Sequence, residues 1–180
     1  MSDLYELARA SAFLGNEFLL WLWYREDRND GVHSVGGQSC VIAFDDQLVL
    51  RVELGEAEES RLKGGAPSAA PEARKALQFG KRVTRARLRL ERGEREWRFN
   101  VDAERFRLSS VRIPAVLGDS PEMQFIERMD LVEELEACFF GVYRDFLRLR
   151  LGPDWETERV AIARWIHEPV AGDEWFDRRS

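Results

Sequence analysis

The 180-residue sequence is poor in the side chains that most often carry chemistry, with two Cys, two His and only three Lys. Cys40 and Cys138 lie far apart and lack CxxC partners, which excludes a disulfide framework and predicts a reducing, cytoplasmic setting. His33 and His167 have no Cys, Asp or Glu at metal-ligand spacing, so no metal site is expected. No phosphate-cradling glycine loop and no nucleophile elbow occurs. The adjacent Asp45 and Asp46 read as turn formers, and Glu133, Glu134 and Glu136 as a solvated helix face. No catalytic residue, cofactor or enzymatic activity is therefore expected. Long apolar runs are missing too: residues 13–24 are interrupted by Asn16 and Glu17 and fall short of the roughly 20 residues a spanning helix needs. Asp3 and Glu6 stand where a secretory leader would be basic, so neither a leader nor a membrane partner is expected.

Two compositional facts remain. A 44% hydrophobic share supplies enough apolar surface for one core and excludes disorder. Charge, by contrast, is unevenly placed. Residues 74–112 hold thirteen basic against five acidic side chains, a surplus of +8 that leaves −14 for the rest of a chain whose total is −6. Such a partition gives one surface an attraction for polyanions although the whole molecule is acidic.

Periodicity predicts an α+β domain over residues 1–180: an antiparallel sheet of about five strands, flanked by an N-terminal helix and two C-terminal helices. The first helix carries Phe13, Phe18, Trp21, Leu22 and Trp23, more apolar surface than one stripe, and Gly15–Asn16 is a possible break in it. Residues 39–53 read as a hairpin turning at Asp45–Asp46, and residues 64–71 as a flexible joint. Pro71 opens a short helix that Gly80 ends. Residues 81–113 read as a three-stranded meander, with Trp97, Phe99 and Val101 turned inward. A helix over residues 121–151 follows, its apolar face marked by Met129, Val132, Leu135, Phe139, Val142, Phe146 and Leu149. Asp154 then caps a last helix that turns Val160, Ala163 and either Trp165 or Ile166 inward.

In KRVTRARLRLE, alternation puts Thr84, Ala86, Leu88 and Leu90 on one side of a strand and Val83, Arg85, Arg87 and Arg89 on the other. The arginines would then recur roughly every 6.5 to 7 Å, a spacing that suits successive phosphates, with Arg98 across the next turn and Lys81 and Arg82 at the strand's start. Trp97 and Phe99, the rings that might stack on bases, fall on the inward side, which favours contact with a DNA backbone over a stacking platform. The same arginines could instead meet carboxylates, either a protein partner's or this chain's own acidic remainder.

The segment FGKRVTRARLRLERGEREWRFNVDAERFRLSSVRIP, followed by ERMDLVEELEACFFGVYRDFL, resembles the C-terminal part of the recombination-associated protein RdgC family over roughly residues 77–150. The resemblance implies non-enzymatic, sequence-independent duplex-DNA binding in bacterial recombination or its control, in the cytoplasm and at the nucleoid. It also implies a ring-like dimer. Family members are longer, so the resemblance points to a separately encoded N-terminal portion as partner in a homo- or hetero-oligomer. Phe18, Trp21 and Trp23 are the candidate docking surface, the alternative being that they belong to the core.

Overall fold

A computed structural model describes residues 2–52 and 59–170. Helix α1 (Ser2–Asn29) leads into strands β1 (Val32–Val35), β2 (Gln38–Arg51) and β3 (Ser60–Lys63), then helix α2 (Pro71–Gln78). Strands β4 (Arg82–Arg92), β5 (Arg95–Asp102) and β6 (Arg107–Arg112) precede helices α3 (Pro121–Leu151) and α4 (Trp155–Ile166). The fold is α+β, with an antiparallel sheet in the order β1-β2-β4-β5-β6 and β3 also paired to β2.

Strands β4 and β5 follow the predicted alternation, because each has one apolar side to bury, whereas β6 is exposed along most of its length. Leu88, Leu90, Trp97, Phe99 and Val101 are buried under the helices, while their neighbours stay partly or fully exposed. Residues 39–53 differ from expectation. Up to Arg51 they form one long strand, not a hairpin, with Glu53 outside the described residues, and the register shift between Phe44 and Leu48 marks a bulge at the two aspartates. A bulge absorbs the turn-forming residues without ending the pairing. The real hairpin lies one step earlier, between β1 and β2, where Gly36 and Gly37 take positive φ. Because β4 occupies one edge of β2, β1 and β3 share the other edge end to end.

A second register shift, between Val49 and Leu50, turns Val83 inward beside Thr84, so Val83 does not belong to the arginine side. In α4 Trp165 is buried, one of the two inward residues expected there, but its buried partner is Ile162, while Val160 and Ala163 are exposed. Asp154 stands at the expected N-cap position but accepts no capping hydrogen bond through its side chain. Residues 64–71 do not hang free. They hold a 3-10 turn with Pro67 buried, and the Ser68 carbonyl accepts a hydrogen bond from Trp23 Nε1 at 3.0 Å.

Helix α1 runs unbroken through Gly15, and the glycine has a different purpose from helix breaking. A Cβ there would lie 1.9 Å from the Ala103 carbonyl oxygen, so the helix can cross the end of β5 this closely only without a side chain. Alanine is ordinarily better than glycine in a helix by about 1 kcal/mol. Here Gly15→Ala is expected to destabilise the protein by on the order of 2 kcal/mol, since backbone must move to relieve the clash. A thermal melt showing a raised midpoint would contradict this close crossing.

The excess apolar surface of α1 is covered from within the chain. Phe18 packs among Phe139, Tyr143 and Phe146 of α3, with ring centroids 5.0 to 5.6 Å away. Trp21 lies against Phe146 and donates to Glu158 Oε1 at 3.0 Å. Trp23 is 1% exposed, edge-on to Trp165 of α4 and beside Phe44. Of the two readings of Phe18, Trp21 and Trp23, docking surface and core, the structure has the core: α2, α3 and α4 together cover the side of α1 that the sheet leaves open.

Candidate nucleic-acid interface on the open sheet face

The sheet side away from the helices presents charged residues from β2, β3, β4, β5 and β6. Its composition follows from the period of two: every arginine of β4 that alternates with a buried leucine or alanine must point outward. What the alternation could not reveal is the carboxylates that meet them.

Across the middle of this face, Arg89 and Arg98 stand directly opposite each other, and so do Glu91 and Glu96 on the next outward rung. Like charges facing across strands repel. Each arginine is compensated along its own strand, Arg89 to Glu91 at 3.0 Å and Arg98 to Glu96 at 2.8 Å. Asp45, re-aimed by the bulge in β2, receives Arg87 at 3.2 Å and Arg98 at 3.6 Å, and Asp46 lies 3.6 Å from Arg87. Hydrogen bonding to Glu96, helped by the nearby Asp45 charge, raises the Arg98 pKa above its ordinary value. Arg87, Arg89 and Arg98 therefore belong to a charge-balanced lattice, and the expected strip of phosphate-ready arginines is interrupted there.

Toward the start of β4 the balance changes. A concavity of about 460 Å³ is lined by Arg61, Lys63, Arg85, Arg105 and Arg107, with Asp102 as the one carboxylate among the described residues that line it. Arg85 contacts Asp102 at 3.3 Å and remains half exposed. Arg61 pairs with Glu59, which also holds Arg51, and these two hydrogen bonds lower the Glu59 carboxyl below its usual range. Lys81 donates from Nζ to Ser60 Oγ at 2.8 Å, and Arg82 pairs in register with Arg51, so both predicted residues stand at this same end of the sheet.

Of the six residues named from sequence, then, Arg85 lines the concavity, Lys81 and Arg82 flank it, and Arg87, Arg89 and Arg98 lie in the neutral lattice. Sequence reading missed Arg61, Lys63, Arg105 and Arg107. The first two flank Leu62 in an alternating triplet, a signal too short to stand out beside the polar segment before it; Arg105 and Arg107 sit in and just after a turn where Phe106 takes positive φ.

Elsewhere Cys40, Cys138 and His33 are buried, while His167 is exposed at the C-terminal end of α4. Cys40 and Cys138 are core thiols, hydrogen-bonded to each other, and that bond together with burial raises the Cys40 pKa. His33 packs under Trp21, and burial, reinforced by the Arg25 charge, lowers its pKa to about 4. Among the described residues no group of three or more His, Cys, Asp or Glu is placed to hold a metal ion, and no helix is long and apolar enough to cross a membrane. No family model matches the chain, and no curated protein matches it either.

Proposed function

We propose that this protein binds nucleic acid through its backbone, without reading sequence and without catalysis, using the basic end of the open sheet face. The observation that carries this reading is the concavity whose described lining sets five cationic side chains beside one carboxylate, Asp102, with Arg61 also paired to Glu59 at its edge. Arginine's planar fork engages phosphate oxygens in pairs, and an oxyanion backbone can follow the depression across β3, β4 and β6. Among the described residues no large aromatic ring lines it, which favours duplex or backbone contact over base stacking. The resemblance to the RdgC family supports the same reading and suggests a place in bacterial recombination or its control, at the nucleoid, with a separately encoded partner.

The test separates the two halves of the face. Lys63→Ala, Arg85→Ala and Arg107→Ala together are expected to weaken binding to unrelated duplexes alike and to lower the slope of log K against log salt by about 2 to 3. Arg87→Ala with Arg98→Ala is expected to leave that slope nearly unchanged, because those cations already face carboxylates. Fluorescence anisotropy over a salt series would measure both. If the triple variant binds as the parent does, the concavity is not the site.

A second reading, a protein-interaction module, is favoured by one observation: Leu117, Met123, Phe125, Ile126 and Met129, around the start of α3, are all exposed.

A further inference from the structure

The first turns of α3 project beyond the core. Leu117 is 84% exposed, Phe125 65% and Ile126 59%, although each is large and apolar. Scattered apolar residues need no explanation, but a contiguous group marks a contact surface. At about 100° per residue, Ile126 and Met129 fall on the side of α3 away from the buried Leu131 and Leu135, and Phe125 lies on its flank; Met129, expected on the apolar face, is 47% exposed. Glu122, Asp130, Glu133 and Glu136, all exposed, share that outer side.

This tip is built, not loose. Glu127 accepts hydrogen bonds from the backbone N–H groups of Leu117 and Gly118 at 2.8 and 2.9 Å. Gln124 Nε2 donates to the Gly118 carbonyl at 3.0 Å, and Ser120 Oγ caps the helix by accepting from Met123 N–H at 3.2 Å. Leu117 is thereby held beside the helix, and little ordering remains to be done on docking.

The surface that complements an acidic knob is cationic. This chain has one: Arg61, Lys63, Arg85, Arg105 and Arg107 line the basic concavity, with Val49 of β2 on the same side of the sheet. Two tips facing each other would instead bring like charges together.

We propose that the outer side of the α3 tip docks into the basic concavity of a second copy of this chain, joining molecules head to tail. Such a contact uses two different surfaces, so each molecule keeps one free knob or one free concavity, and growth passes beyond the dimer unless the rotation closes. The contact does not rest on the nucleic-acid reading, but it uses the same concavity, so a bound backbone and a docked tip exclude each other.

Sedimentation velocity in the absence of nucleic acid tests this, so its failure is separate from any failure of the DNA assay. The parent protein at low salt is expected to show association that grows with concentration and weakens as salt is added. Phe125→Ser with Ile126→Ser, which removes the knob, and Arg85→Glu with Arg107→Glu, which reverses the concavity, are each expected to weaken self-association by roughly tenfold or more. All four side chains are at least partly exposed, so both variants should keep the parent's circular dichroism. Mixing the two variants is the decisive arm. One has an intact concavity and the other an intact knob, so together they should form a dimer that cannot grow. A monomeric parent at low salt, association unchanged in either variant, or a mixture that stays monomeric would each overturn the proposal.

Discussion

Trp165→Ala is expected to lower stability by about 4 kcal/mol, near the upper end for a single core truncation. The indole is fully buried, and more than packing depends on it. Its Nε1 donates to Asp27 Oδ2 at 2.7 Å, its ring meets Trp23 and Tyr24 edge-on, and the Arg74 guanidinium carbon lies 3.7 Å from its centroid. Arg74 is itself buried, donates to the Trp165 carbonyl at 2.5 Å and approaches Asp27 at 3.5 Å. Removing the ring leaves a buried cation facing a cavity, and the cost of that charge adds to the lost contacts. Trp165→Phe keeps an aromatic face for Arg74 but leaves Asp27 without its indole donor, so its loss should be about half as large. Urea midpoints with unchanged m-values would confirm the order. Equal, small losses in both variants would show that α4 closes the core less tightly than its contacts require.

The dependence of stability on pH is expected to be flat in the parent and steep in two single variants. Glu26 accepts from the Phe44 N–H at 3.1 Å, yet burial outweighs that bond and raises its pKa to about 7 from 4.5. The folded state therefore holds the Glu26 proton more tightly. Its contribution is complete below about pH 4.5 and is lost as pH rises through 7. His33 has the opposite sense, with its pKa lowered from 6.5 to about 4; its contribution is complete above pH 6.5 and is lost as pH falls through 4. Each shift corresponds to about 3 kcal/mol. Between roughly pH 4.5 and 6.5 the two slopes oppose each other and largely cancel. Glu26→Gln, which keeps an acceptor for Phe44, should unmask a rise in stability with pH over that window. His33→Gln should unmask a fall. Difference curves from chemical denaturation at several pH values isolate each group from the remaining carboxylates. Difference curves without slope would mean that neither side chain changes its protonation on folding.

Those two groups were invisible as titrating sites in the sequence, since burial is a property of packing. The legible parts were those whose period persisted long enough to exclude alternatives. The bounds of α3 follow from apolar residues recurring at three- and four-residue steps up to Gly152, and the β4–β5 pair from unbroken alternation. Periodicity failed where backbone irregularity intervened. The bulges at Asp45–Asp46 and near Thr84 kept β2 in one piece and sent Val83 inward. It failed also where the decisive neighbour came from another element. Alternation placed Arg87 and Arg98 outward correctly, but Asp45 reaches them from β2, so a run of cations proved to be a lattice of pairs. Likewise α1 displayed too many apolar side chains for one sheet, and only the placement of α2, α3 and α4 shows what covers Phe18, Trp21 and Trp23. The basic concavity draws on β3, β4, β6 and the turn before β6, four short pieces that no single window of sequence contains.

The contacts that close the core over α1 also set a timetable for its synthesis. Trp21 bonds to Glu158, Asp27 to Trp165 and Arg28 to Glu168, across 137, 138 and 140 residues. On a ribosome the tryptophans of α1 emerge first and their cover last, an interval on the order of 10 s at ordinary elongation rates. During that interval the nascent chain presents a greasy helix with no partner, the kind of segment that chaperones bind. Closure of this core thus waits on α4, with α1 held open until that helix has emerged.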